Sequence, residues 1–174
     1  VVPATAQHFP EFIIRVNTAP EQRRQFMVDS MLATLNEYPY PEADTLVWFF
    51  YKGTAQDVAV AGDMNGWSDT QSPLQRLSTT DLWYRGEHYA ADARLDYKYV
   101  VNQNWILDPR NPHTVSGGFG PNSELRMPGY APPDEILHHE GVPRGSIVDT
   151  TFSATTLNNS RPVKIYLPAG YDLS

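Results

Sequence analysis

Three groups of residues in this chain have the atoms for chemistry: serines with histidines, a histidine pair beside a glutamate, and tryptophans at turns. A serine nucleophile needs a sharp strand-to-helix elbow, usually Gly-x-Ser-x-Gly, followed by an acid and a histidine. No serine here is flanked in that way; the serines fall in turns or on predicted strands. The chain by itself is therefore expected not to hydrolyse esters, and a noncontiguous triad using His88, His113, His138 or His139 is the minor alternative. His138-His139-Glu140 invites a metal reading, but adjacent residues diverge on a strand or a helix, and no second cluster completes a ligand set. A solvated linker is expected there, with no metal and no cofactor. Indole rings are large and rigid, carry an N–H, and can stack on the C–H face of a sugar. Trp67 follows a turn, where a ring is either a core plug or a platform, whereas Trp48 and Trp83 read as core.

The elements that must hold these residues are mostly strands. In 57–67, Val58 and Val60 alternate with small residues, the pattern of a half-buried strand. Gly62, Asn65 and Gly66 then supply positions that tolerate positive φ, so the chain can reverse before Trp67. Residues 45–51 are aromatic and β-branched, a strand with both faces covered or one face aromatic. Residues 82–85 and 87–90 read as two short strand pieces. In 95–101, Leu95, Tyr97, Tyr99 and Val101 share one face while Asp96, Lys98 and Val100 share the other, so Lys98 points away from the tyrosines. Asn102-Gln103-Asn104 predicts a hairpin turn, with Trp105-Ile106-Leu107 returning and 108–112 ending that strand. Residues 117–122 form a glycine-rich loop, and 123–127 a closing strand.

Ahead of these strands, residues 1–10 are small and polar and read as an arm. A single helix is expected from Thr18, with Thr18 as cap, Pro20 in the first turn and Glu21 completing a capping box. Met27, Val28, Met31, Leu32 and Leu35 lie on one helical face and should dock on the strands. Behind them, Pro132-Pro133, Gly141 and Pro143 mark an extended linker, and 145–156 and 161–168 form two further strands joined by Asn158-Asn159-Ser160. A strand pair with nothing beyond it cannot bury its faces, so this tail reads as the start of a second domain.

Composition narrows the partners. The 174 residues carry a formal net charge of −7 and no basic run, which argues against nucleic acid and anionic membranes. No apolar run approaches a membrane span. Fifteen prolines, eleven glycines and abundant aromatic residues point to a loop-rich β fold. There is no cysteine, hence no disulfide framework or thiolate chemistry, and the sequence starts at Val1, as a trimmed product would. The compartment stays open, with an extracellular or periplasmic one favoured.

Four separated motifs bear a resemblance: 60–67 (VAGDMNGW), 97–101 (YKYVV), 105–112 (WILDPRNP) and 120–125 (GPNSEL). Together they resemble the early-set immunoglobulin-like sandwich of family-48 carbohydrate-binding modules, which include glycogen-binding domains and N-terminal domains of branching and debranching enzymes. The hairpin tip departs from that family, which commonly has Asp-Gly where this chain has Asn102-Gln103-Asn104. In glycan-binding relatives, positions matching Trp67, Lys98, Trp105 and Asn122 do the binding: the resemblance implies that the tryptophans stack on sugar rings and that Lys98 and Asn122 hydrogen-bond hydroxyls. The tail motifs, 145–147, 152–153 and 161–172 (RPVKIYLPAGYD), resemble the opening strands of enterochelin- and feruloyl-esterase-like α/β-hydrolases, which often carry such a sandwich in front. The expected architecture is thus an all-β, immunoglobulin-like early-set sandwich with a short N-terminal helix and a tail of α/β-hydrolase strands. Its parts are an arm and helix (1–44), the sandwich (45–128), a linker (129–144) and the start of an esterase domain (145–174). The expected function is a noncatalytic N-terminal module that packs on the catalytic domain and shapes substrate access. Its partner would be the C-terminal esterase domain or another chain. The alternatives are an α-glucan-binding module built on Trp67 and Trp105, with a glycan as partner, and a protein interaction domain.

Overall fold

The computed structural model describes residues 8–171. The chain divides into two compact units, one ending at Ala131 and one starting at Pro132.

The first unit opens with two helices rather than one, α1 (Phe9–Thr18) and α2 (Glu21–Leu32). The expected arm is therefore helical from Phe9; its residues 1–7 lie outside the described residues. The reason is remote in sequence. His8, at the N-cap of α1, makes no capping bond of its own, and Glu42 does the work instead, its Oε1 accepting from the Phe9 amide at 2.6 Å. Thr18 does not cap α2: its hydroxyl donates to Ile14 O and Arg15 O at the end of α1, and Pro20 stands at the N-cap of α2 with no capping bond. The expected stripe does face inward, with Val28 and Leu32 buried and Met27, Met31 and Leu35 half-buried beside them, although Leu35 lies past the end of the helix.

Nine strands follow in this unit: β1 (Tyr40–Pro41), β2 (Leu46–Lys52), β3 (Val58–Gly62), β4 (Gln75–Arg76), β5 (Leu82–His88), β6 (Arg94–Val101), β7 (Asn104–Ile106), β8 (Thr114–Gly117) and β9 (Gly120–Arg126). They form two open antiparallel sheets. The first has the order β1-β2-β5-β4; the second has β3-β6-β9-β8, with β7 also paired to β6. The two pieces expected at 82–90 are one strand. The glycine-rich loop is in fact a hairpin, β8–β9, with only its tip irregular.

Strand periodicity distributes β2 between two cores. Val47 and Phe49 point into the core between the sheets, where they meet Val58, Val60, Trp83, Tyr97, Tyr99 and Leu125. Phe50, with Trp48 beside it, points the other way and meets Phe9, Phe12, Val16, Val28 and Leu32 of the helices. The unit is thus helices on a sheet on a sheet, a mixed sandwich whose first sheet is covered on both faces. Trp83 lies in the core; Trp48 is half-buried and its indole N–H donates to Glu42. Burying a Phe or Leu side chain contributes roughly 1.5–3 kcal/mol each, so the aromatic load of β2 holds both layers.

The expected half-buried strand at 58–62 is buried throughout, because Ala59 and Ala61 form a small cluster with Val100 on the face away from the main core. Gly62 is not there for positive φ. Its φ is −177°, plain extended backbone, and it is needed for space: a Cβ would sit 2.3 Å from Asp96 O. The positive φ values fall instead at Gly66 (63°) and at Trp67 itself (62°).

The second unit holds a short 3-10 turn (Asp134–Ile136) and a hairpin of β10 (Ser146–Ala154) and β11 (Asn159–Leu167), paired across nine positions. The turn comes earlier than expected: Asn158 takes a φ of 48°, and Asn159 and Ser160 already belong to β11. Val148, Thr150, Phe152, Val163 and Ile165 share one face, and the Asp149–Lys164 ion pair lies on the other. Phe152 and Tyr166 are 63% and 65% exposed. The tail's last residues, 172–174, lie outside the described residues.

Candidate functional site

The residues with binding chemistry gather on the face of the second sheet that points away from the core. Inward-facing Tyr97 and Tyr99 fix the phase of β6, so Asp96, Lys98 and Val100 face outward. Register then brings Ala61 opposite Lys98, Trp105 opposite Val100, and Glu124 opposite Asp96. Along one side of β6, β9 pairs its first half and β7 its last residues, which leaves Lys98 at the junction.

Trp67 reaches the same face from the turn after β3. Its amide donates to Gly62 O at 2.9 Å, and Asn65 ties the turn down by donating to Val60 O and Ser72 Oγ. Its ring stacks on Trp105, with centroids 6.5 Å apart and planes 25° from parallel. Such a pair contributes about 0.5–1.5 kcal/mol beyond area burial. Trp67 is half-buried and Trp105 is 44% exposed, so ring surface stays open to solvent. Asp63, which sequence reasoning passed over, sets the indole's orientation: its Oδ1 accepts from Trp67 Nε1 at 3.1 Å while its Oδ2 accepts from the Asp96 amide at 2.8 Å. The spacing of four residues from Asp63 to Trp67 across a turn was the available signal.

Lys98 is half-buried and, among the described residues, its ammonium has no hydrogen-bond or ion-pair partner. Asn122 is placed differently from the loop expected. It lies within β9, is buried, and donates through Nδ2 to Asp96 Oδ2 at 3.2 Å, which leaves its carbonyl oxygen for other bonds. Gly117 faces that amide closely; a Cβ there would stand 2.7 Å from Asn122 Nδ2. Beyond Asn122 the face is charged. Arg94 NH1 lies 2.8 Å from Asp96 Oδ1, and Glu124 accepts from Arg94 at 2.5 Å and Arg126 at 2.7 Å. Burial alone would raise the Glu124 carboxyl, but the hydrogen bonds and charges of Arg126 and Arg94 hold it below its ordinary value.

A buried polar network behind the face holds β7 and β9 in place. Tyr97 donates to Asp108 Oδ2 at 2.7 Å, Asp108 N donates to Ser123 Oγ at 2.8 Å, and Asn111 Nδ2 donates to Glu124 O at 2.8 Å and to the Tyr97 hydroxyl at 3.1 Å. Burial raises the Asp108 carboxyl above its ordinary value despite these bonds, and raises Tyr97 far above its own. The 108–112 segment, read in sequence only as a strand stop, thus ties the chain beyond β7 to β6 and to the part of β9 next to Asn122.

Among the described residues the histidines do not meet a nucleophile. Among the described residues no serine or threonine hydroxyl bonds a histidine; His139 contacts Asp134, His138 contacts Arg144, and His8 contacts Glu42. No group of three or more His, Cys, Asp or Glu among the described residues could hold a metal ion. No described helix is long and apolar enough to cross a membrane.

No protein-family model matches the chain. Solved structures do share its fold. The ferric enterobactin esterase of Salmonella typhimurium is 19% identical with a TM-score of 0.58, over 78% of this chain and 45% of its own. The enterochelin esterase of Shigella flexneri is 20% identical with a TM-score of 0.53, over 78% and 44%. The Shigella flexneri enterobactin esterase, solved in the presence of 2,3-di-hydroxy-N-benzoyl-serine, is 23% identical with a TM-score of 0.50, over 68% and 39%. At these identities the likeness is one of fold, and this chain spans less than half the length of each.

Proposed function

We propose that this chain is the noncatalytic N-terminal module of a serine esterase: an early-set immunoglobulin-like sandwich that packs on the catalytic domain and shapes access to it. The observation that carries this reading is the fold likeness to enterobactin-type esterases, which covers up to 78% of this chain but at most 45% of theirs. The bonding of the described serines and histidines fits it, and so does the β10–β11 hairpin, whose exposed apolar side chains need a covering layer that a two-stranded hairpin lacks by itself. An extracellular or periplasmic location accords with it. The test is an ester-hydrolysis assay on the 174-residue chain and on the product of the whole reading frame. The chain should be inactive and the whole product active, with activity lost on changing the serine of a downstream elbow to alanine. A frame with no such serine, or hydrolysis by the chain alone, overturns the reading.

A second reading is favoured by one observation, the near-parallel Trp67–Trp105 pair beside an unpartnered Lys98. In this reading the outer face binds an α-glucan, the rings stacking on sugars while Lys98 and the free Asn122 oxygen bond hydroxyls. Calorimetry with maltoheptaose tests it; no heat, or heat unchanged in Trp67→Ala with Trp105→Ala, counts against it.

A further inference from the structure

The first unit carries a second open surface, on the side of the helices. A groove of about 820 Å³ runs between α1, α2 and the segment leading to β1, walled by Phe12, Phe26, Met27, Met31, Leu35 and Tyr40. Phe26 is 73% exposed although it stands mid-helix beside a well-filled core. The charged residues among the lining are Arg15 and Glu37, one of each sign. The outer sheet face is the opposite in character, with Asp63, Arg94, Asp96, Lys98, Glu124 and Arg126.

We propose that the groove is the surface on which the catalytic domain of the same polypeptide docks, leaving the Trp67–Trp105 face uncovered. This rests on the esterase-module reading above and adds to it which side of the sandwich is occupied. Protein–protein interface cores are enriched in aromatic residues and Met and depleted in charge. Both surfaces carry aromatic rings, but only the groove combines them with Met and few charges, whereas the sheet face is dense in acidic and basic side chains. Met side chains let such a surface fit a partner of irregular shape. A partner of domain size is also available: more than half of each matched esterase has no counterpart in this chain.

The absence of cysteine gives a direct test. Phe26→Cys places a single thiol at an exposed position, so the fold should tolerate it; Gln75→Cys on the exposed edge strand β4 is the reference, and Met31→Cys a second probe of the groove. Maleimide labelling rates are measured for each, in the 174-residue chain at low concentration and in the whole reading-frame product, with the label read at the named position by peptide mass spectrometry so that cysteines outside the 174 residues do not count. A docked domain exposes the thiol only through local opening, so the whole product should label about tenfold or more slowly at position 26 relative to position 75. Equal relative rates in an active whole product overturn the docking proposal while the esterase-module reading stands. Lack of a downstream serine elbow removes that reading and the proposal with it. Protection that grows with concentration of the 174-residue chain assigns the groove to a second copy, and protection that persists in that chain at high dilution assigns it to a segment of the same 174 residues; either result overturns the proposal.

Discussion

Replacing Trp67 by alanine and by glycine separates the ring from the backbone that presents it. Trp67 sits at φ 62°, a conformation that costs a residue with a Cβ roughly 1–2 kcal/mol. That cost is carried at a half-buried position whose ring is held by Asp63 and stacked on Trp105. Such strain persists only where the surrounding contacts over-determine the conformation, as Asp63 and Trp105 do here. Trp67→Ala keeps the strain and loses the ring pair, about 1 kcal/mol, and the hydrogen bond to Asp63, about 1 kcal/mol, so it should destabilise the unit by about 2 kcal/mol. Trp67→Gly loses the same contacts but relieves the strain, in part against the greater freedom of unfolded glycine. It should therefore be more stable than Trp67→Ala by about 0.5–1 kcal/mol, the reverse of the usual order. Thermal and urea melts measure this. In the glycan reading both variants lose the same ring, and a tryptophan at the centre of a site is worth about 2 kcal/mol or more, close to a thirtyfold loss of affinity for maltoheptaose. The physical argument predicts a split: the two variants differ in stability and agree in binding. Equal stabilities would refute the account of backbone strain, and retained maltoheptaose binding in either variant would refute the ring's role.

Other substitutions report on the elements behind the face. Gly62→Ala should cost about 3 kcal/mol or more, read by urea denaturation, because its Cβ meets backbone at 2.3 Å in a buried strand that cannot shift freely. Asp108→Asn should destabilise by about 1–3 kcal/mol at neutral pH, since the Tyr97 hydroxyl and the Arg110 amide donate to different carboxylate oxygens and an amide offers an acceptor to only one of them. The two buried carboxyls should give opposite pH signatures in melts across the acid range. Asp108 is raised above 3.8, so its folded form binds the proton more tightly, and the stability it contributes is present below that value and declines as pH rises through the folded pKa. Glu124 is held below 4.5, so its contribution is present above that value and is lost as pH falls through its lowered folded pKa. Stability differences measured against Asp108→Asn and Glu124→Gln should therefore slope in opposite directions, and parallel slopes would contradict the assignments.

What the sequence reveals and what it hides divide along physical lines. Period-2 patterns in β2, β3 and β6 are local, and Tyr97, Tyr99 and Val101 fall on the buried face their alternation requires. The helical stripe from Met27 to Leu32 is legible for the same reason. Helix α1 is not, because its cap is Glu42, 33 residues away from the amide it accepts from. The hairpin β8–β9 is hidden by its glycines, which read as loop yet are required where Gly117 passes the Asn122 amide. The strain at Trp67 is hidden too, since Asn65-Gly66 offered the expected site for positive φ and the chain continues it one residue further.

The face itself is a product of register, and no local pattern contains it. Trp67, Lys98, Trp105 and Asn122 come from four different segments, and each is carried there by a separate constraint: the Asn65 turn, the phase of β6, the two-residue reversal at Asn102 and Gln103, and the Asp108–Asn111 network. The reversal shows how tightly these are coupled. Both Asn102 and Gln103 take positive φ, 48° and 67°, so the hairpin closes in two residues and Asn104 already pairs with Val101. A three-residue turn, as the sequence led one to expect, would shift β7 by one position against β6 and send Trp105 to the opposite face, away from Trp67. Inserting one glycine between Gln103 and Asn104, so that Asn102 and Gln103 keep the two-residue reversal, puts the glycine opposite Val101 and Trp105 opposite Tyr99 on the inward face. It should therefore abolish the Trp67–Trp105 contact, visible as loss of the exciton-coupled tryptophan signal in circular dichroism, while Tyr97 and Tyr99 stay buried. Retention of that signal would mean the face is held by Asp63 and the 108–111 network without help from the turn.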